Sequence, residues 1–113
     1  MKEECIFCKI VGGEIPAEVV YQDSQFLAIR DIHPAAPEHL LVLPKQHFAT
    51  IAQCPEDPLL AALLRAVHHT AKAAGIAESG YRLVLNQGPD AGQEVPHLHF
   101  HVLGGKRLGW SPA

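Results

Sequence analysis

Apolar residues recur along the chain with two different periods. Leu59, Leu60, Leu63, Leu64 and Val67 fall on one face of a helix. Asp57 is the expected N-cap of that helix, and Pro58 takes the first helical position, where its missing N–H removes no intrahelical bond. Gly75 is the expected stop. Ile6, Phe7 and Ile10 suit one or two helical turns over residues 5–11, halted by Gly12 and Gly13. Residues 18–22 and 26–31 read as the two strands of a hairpin turning at Asp23 and Ser24. Pro34 and Pro37 break the chain, and the apolar run at 40–43 reads as a buried strand ended by Pro44. Residues 81–86 read as a strand, 88–93 as a glycine-bearing loop, and 97–103 as the last strand, closed by Gly104 and Gly105. Short helix, three strands, long helix, two strands predicts an α+β fold, an antiparallel sheet covered by a helix on one face. With no repeat, low-complexity tract or linker, residues 1–113 are expected to form one domain.

Composition narrows the function classes. A net charge of −3 offers nothing to a nucleic-acid backbone, so any phosphate recognition must be local, in one pocket. No apolar run approaches a membrane span, and the acidic N-terminus lacks the basic and apolar regions of a signal peptide. Three cysteines, an odd number, fit a reducing compartment. These features point to a cytoplasmic protein with no nucleic-acid or membrane partner.

The chemistry concentrates in His97-Leu98-His99-Phe100-His101-Val102-Leu103. On a strand, alternate side chains share a face. Three imidazoles therefore stand together, and Leu98, Phe100 and Val102 face the other way into the core. Such a run can ligate metal or attack phosphorus. Three alternating tips diverge along a strand and do not easily converge on one ion. Nucleophilic catalysis is favoured for the run, with one member left free to serve a metal. A flanking imidazole can bind the phosphoryl group or protonate the leaving group. The preceding loop, residues 86–95, carries glycines that permit close backbone approach, amide donors on Asn86 and Gln93, and backbone N–H groups that could form an anion nest. Cys5 and Cys8 are spaced C-x-x-C, half a zinc site or a redox pair. Cys54 carries no assigned role, and His39 reads as a structural group rather than a catalytic one.

The histidine run matches the histidine triad motif, and the chain resembles the histidine triad (HIT) superfamily, its Hint branch in particular. The likeness extends through residues 6–10, 14–16, 30–32, 43–47, 80–84, Asn86, 92–95, Gly104, Gly105 and Trp110. It implies a HIT-like fold: a five-stranded antiparallel sheet with one long and one short helix, continued across a homodimer in which the Trp110 tail approaches the partner's site. It also implies cleavage of purine nucleoside 5′-phosphoramidates or related acyl adenylates, with His99 attacking the α-phosphorus to form a nucleotidyl-histidine. His101 would bind phosphoryl oxygens or assist the leaving group, and His97 and His47 would complete the imidazole cluster. Asn86, Gly92, Gln93, Glu94 and Val95 would hold the phosphate, and Asp31 the ribose. Ile6, Phe7, Ile10, Ile29 and Ile32 would form the base slot. No cofactor is needed for catalysis, but Cys5, Cys8, His47 and His97 correspond to a structural zinc site of some members.

Two positions depart from the pattern. Glu94 stands where some members have serine, and a carboxylate beside a phosphate is repulsive unless it turns away or serves the leaving amine. Pro96 precedes the triad where an aromatic is common. The competing readings are a dinucleoside polyphosphate hydrolase or nucleotidylyl transferase of the same superfamily, and a nucleotide-binding regulatory protein.

Overall fold

The computed structural model describes residues 4–55 and 57–110. Its elements are α1 (Ile6–Val11), β1 (Val19–Gln22), β2 (Phe26–Arg30), β3 (Glu38–Pro44), α2 (Asp57–Ala73), β4 (Tyr81–Val84) and β5 (Phe100–Gly104), with 3-10 turns at Ile51–Gln53 and Pro89–Ala91. The strands form one antiparallel sheet in the order β1-β2-β3-β5-β4. The expected α+β class, strand count and helix pair are all present.

Local chemistry sets the first hairpin. The Asp23 carboxylate accepts the N–H groups of Gln25 and Phe26, each at 2.8 Å, and the Tyr21 hydroxyl at 2.7 Å. This Asx-type turn fixes the register in which Gln22↔Leu27 and Tyr21↔Ala28 pair across β1 and β2. The central strands are apolar on both faces because each face is covered. Phe26, Ala28, Leu40 and Val42 join Leu63, Ala66, Val67 and Ala71 of α2 in the larger core. Leu27, Ile29, Leu41 and Leu43 pack with Cys5 and Phe7 on the opposite face.

Several boundaries differ from the sequence reading: β3 spans 38–44 rather than 40–43, and β4 ends at Val84 rather than at residue 86. Asp57 is the first residue of α2 rather than its cap, and residue 56 lies outside the described residues. The buried stripe of α2 runs through Leu63, Ala66, Val67, Thr70 and Ala71, so Leu64 stays exposed. β5 begins at Phe100, not at residue 97. Its ladder with β3 stops at Val42↔Phe100. Further along β3 lies Pro44, which has no N–H to donate. Leu98 instead donates its N–H to the Phe48 carbonyl at 2.6 Å, and His97 to Val95 at 2.8 Å. Alternation survives the loss of the ladder. Leu98, Phe100 and Val102 enter the α2-side core, while His97, His99 and His101 stack toward α1.

Among the described residues, no helix is long and apolar enough to cross a membrane.

Candidate active site

A cleft of about 460 Å³ opens on the α1 side of the sheet. His99 and His101 form part of its wall, with Asp31, Asn86 and residues 92–95 around them. The His99 ring is buried, edge-on to Phe7 at 5.0 Å and to His101 at 5.1 Å. Its Nδ1 sits 2.7 Å from the His97 carbonyl oxygen. A carbonyl only accepts, so Nδ1 carries the proton and Nε2 of the neutral ring carries the lone pair. The backbone thus presets the tautomer that a nitrogen nucleophile requires.

A second chain of hydrogen bonds sets His101 in the complementary state. The Ala35 N–H donates to His39 Nδ1 at 3.0 Å, so His39 bears its proton on Nε2. That nitrogen lies 2.9 Å from His101 Nδ1 and donates to it, which leaves the His101 proton on Nε2. Burial, then the neighbouring His99 and His39, push the His101 pKa down to about 4, against the opposing pull of Asp31. Burial also lowers His39, again opposed by Asp31, whose Oδ2 lies 3.5 Å away. Both rings are therefore neutral at rest near pH 7. Sequence reasoning gave His39 a structural role and missed this contact. The available signal was parity: His39 shares the sheet face of Leu41, which pairs with His101.

The loop before the triad is braced from within. Gln93 Nε2 donates to the Ala49 and Val95 carbonyls, its Oε1 accepts the Gly88 N–H, and its own N–H donates to the Gly88 carbonyl. The Gly92 N–H goes to Pro89. Gln93 and Gly92, expected to donate to phosphate, therefore line the cleft with their donors already engaged. Gly92 closes the 3-10 turn at φ +75°, a conformation costly for other residues. The Asn86 side-chain amide and the N–H groups of Glu94 and Val95 have no acceptor among the described residues. These are the donors available to an anion.

Ile6, Phe7, Ile10, Ile29 and Ile32 all line the cleft, as expected for an apolar slot. Phe7 and Ile29 are also core residues, whereas Ile32 is 84% exposed at its edge. Asp31 Oδ1 accepts the His33 N–H at 2.8 Å.

His97 and His47 do not line this cleft. They face the sulfurs of Cys5 and Cys8. Cys5 Sγ lies 3.2 Å from His97 Nδ1, Cys8 Sγ 3.2 Å from His47 Nδ1 and 3.6 Å from His97 Nδ1. His97 Nε2 donates to the Pro44 carbonyl at 2.8 Å, so its Nδ1 lone pair points at the sulfurs. Burial first, then His47 and His99, hold His97 near a pKa of about 4, against the Pro44 bond. All four ligand atoms lie within 4.8 Å of one another. A tetrahedral zinc, with bonds of about 2.0–2.3 Å, would need separations of about 3.3–3.8 Å. The donor set, the tautomer and the spacing fit zinc. Both His97 ring nitrogens are engaged, and it is the His97 backbone carbonyl that orients His99.

The HIT domain family model matches residues 12–108. The chain is 49% identical to an uncharacterised HIT-like protein of Synechococcus elongatus, over 99% of both chains. It is 43% identical to the purine nucleoside phosphoramidase of Escherichia coli, over 96% of this chain and 93% of that protein. Among solved structures, a HIT family hydrolase from Legionella pneumophila is 50% identical, with a TM-score of 0.91 over 97% of this chain and all of the other. A HIT family hydrolase from Clostridium thermocellum is 45% identical, with a TM-score of 0.90 over 96% of each chain.

Proposed function

The chain belongs to the HIT domain family, and from that premise we propose that it is a nucleotide-binding hydrolase of purine nucleoside 5′-phosphoramidates or related acyl adenylates, working through a nucleotidyl-histidine on His99. The observation that carries this reading is the 2.7 Å contact from His99 Nδ1 to the His97 carbonyl, which leaves Nε2 unprotonated in the cleft wall. Likeness to a named purine nucleoside phosphoramidase supports the choice of bond.

The substrate's base enters the apolar slot, and Asp31 accepts from the ribose. Asn86 and the N–H groups of Glu94 and Val95 bind phosphoryl oxygens. His99 Nε2 attacks phosphorus in line with the leaving amine. The anionic phosphoryl group favours the imidazolium form of His101, raising a pKa that is low in the empty cleft. The P–N bond breaks, its electron pair stays with nitrogen, and His101 supplies the proton that releases a neutral amine. The His97 carbonyl stabilises the charge on the substituted His99 ring. A water then attacks phosphorus and gives its proton to the now neutral His101. The P–N bond to His99 breaks and the nucleoside monophosphate leaves.

We assign a zinc ion to Cys5, Cys8, His47 and His97, where it would fix α1 and the His97 backbone without entering the reaction. A homodimer is supported by the exposed Leu64, Leu83 and Trp110 and by the position of β4 at a sheet edge. The odd number of cysteines, three, supports a cytoplasmic setting.

His99→Ala tests the reading. It should abolish hydrolysis of adenosine 5′-phosphoramidate and retain AMP binding. Wild type quenched during turnover should show a nucleotide adduct on the peptide containing His99. Turnover by His99→Ala within tenfold of wild type would overturn the assignment.

A further inference from the structure

Glu94 is the charged group of the cleft that the mechanism uses only through its backbone. The charged residues in the wall are Arg30, Asp31 and Glu94, and no lysine is among them. The Arg30 guanidinium is engaged by Glu18 at 2.7 Å and by Glu38. Asp31 accepts the His33 N–H and faces His39. The Glu94 carboxylate has no hydrogen-bond or ion-pair partner among the described residues, and its residue is exposed. An arriving phosphoryl group therefore meets neutral N–H donors and the unpaired Glu94 carboxylate, with no unpaired lysine or arginine in the wall to balance it.

The position of that carboxylate within the cleft matters. Glu94 presents its N–H from the same loop that feeds the triad, so its side chain lies within one side-chain length of the phosphate donors. The base is held in the apolar slot beside Phe7 and Ile10, under α1. The leaving group must escape to solvent, and Glu94 is an exposed residue of the wall that carries the phosphate donors.

We propose that Glu94 selects the leaving group: the cleft takes phosphoramidates or acyl adenylates whose leaving group carries an ammonium close to the scissile bond, and discriminates against those bearing a carboxylate. This rests on the hydrolase reading of the cleft and adds the substrate class to it. The ammonium offsets both the phosphoryl charge and Glu94, whereas a carboxylate adds to both. Because Glu94 is exposed, the effect is of surface-pair size, about fivefold in either direction at low ionic strength, and is screened by salt.

Three adenosine 5′-phosphoramidates with equal linkers, ending in ammonium, hydroxyl or carboxylate, test this in wild type, Glu94→Gln and Glu94→Lys. The readout is the ratio of kcat/KM values within each protein, which is independent of any overall change in rate. Wild type should rank ammonium above hydroxyl above carboxylate, spanning at least about tenfold at low salt, with the span shrinking at high salt. Glu94→Gln should collapse the ratios to within about twofold, and Glu94→Lys should invert them. Hydrolysis of all three at equal rates by wild type, or the wild-type order retained in both variants, would overturn the role of Glu94 and leave the hydrolase reading standing. Failure of wild type to hydrolyse any of the three would overturn the hydrolase reading, and the selectivity with it.

Discussion

His39 Nε2 lies 2.9 Å from His101 Nδ1, although the two residues are 62 positions apart in the chain. The contact is diagonal across β3 and β5, where His39 pairs with Leu103 and Leu41 with His101. Because the Ala35 N–H occupies His39 Nδ1, the hydrogen bond between the two neutral rings runs from His39 to His101; when His101 takes a second proton on Nδ1, the His39 Nε2–H is left to Asp31 Oδ2, 3.5 Å away. His39 thus acts as a positioning residue: it holds the His101 proton on the nitrogen that can serve the leaving group.

Removing that control should lower the chemical step more than binding. His39→Ala is expected to reduce kcat by about 10- to 100-fold, less than the about 10²–10⁴-fold of general acid–base catalysis because the acid is mispositioned and not removed, with KM changed less than about threefold. His39→Gln, which can still donate to His101 Nδ1, should recover part of the loss. Nitrogen NMR should find neutral His101 protonated on Nε2 in wild type and in mixed tautomers in His39→Ala. A kcat for His39→Ala within twofold of wild type would exclude the positioning role.

This contact also marks where the sequence stops being informative. Alternation in residues 97–103 is enough to assign faces, since period 2 follows from extended backbone whether or not the ladder forms. The strand's start is not legible, because it depends on which residue of β3 lies opposite. The same holds for His39: its parity is readable once β3 is extended back to residue 38, but its partner is fixed by a register between distant strands. The pairing of Cys5 and Cys8 with His47 and His97 was accessible only through family resemblance. The Gln93 amide bonds to Gly88 and Val95 are local, yet its third partner, Ala49, is 44 residues away.

Burial of His101 makes the protein acid-labile in a defined window. The folded pKa is about 4 against an ordinary 6.5, so the unfolded chain binds more protons between those values. Stability from this group is fully present above pH 6.5 and is lost as pH falls toward 4. The contribution is about 2 kcal/mol, allowing for partial exposure of the ring. Urea unfolding of wild type and His101→Gln across pH 4–7 should show a smaller acid loss in the variant, contributions common to both proteins cancelling. Equal slopes would refute the buried neutral state of His101.

Zinc at the thiol–imidazole cluster predicts one equivalent per chain in untagged protein, lost in Cys5→Ser and Cys8→Ser. Chelation should lower Tm by several degrees at least, since the ion binds the folded ligand set far more tightly than the unfolded chain. It should also slow turnover, because anchoring the His97 side chain there fixes the His97 backbone, whose carbonyl orients His99. Metal content below about a tenth of an equivalent would remove the assignment.

Asn86 and Gln93 were read alike as amide donors to phosphate, and the structure separates them. Gln93 makes three side-chain hydrogen bonds that tie residues 49, 88 and 95 together. Asn86 lines the same cleft with its side-chain amide uncommitted among the described residues. Gln93→Ala should therefore act on the fold: losing three partly buried bonds of about 1 kcal/mol each should lower stability by about 3 kcal/mol, and AMP affinity should fall as the loop loosens. Asn86→Ala should leave Tm within about a degree and weaken AMP binding by about 5- to 15-fold, the value of one hydrogen bond to a charged group less its exposure to water. Thermal unfolding and titration calorimetry on the two variants distinguish the roles. If Gln93→Ala retains wild-type Tm while losing affinity, Gln93 must release its internal partners to bind phosphate, and the brace is a feature of the empty cleft alone.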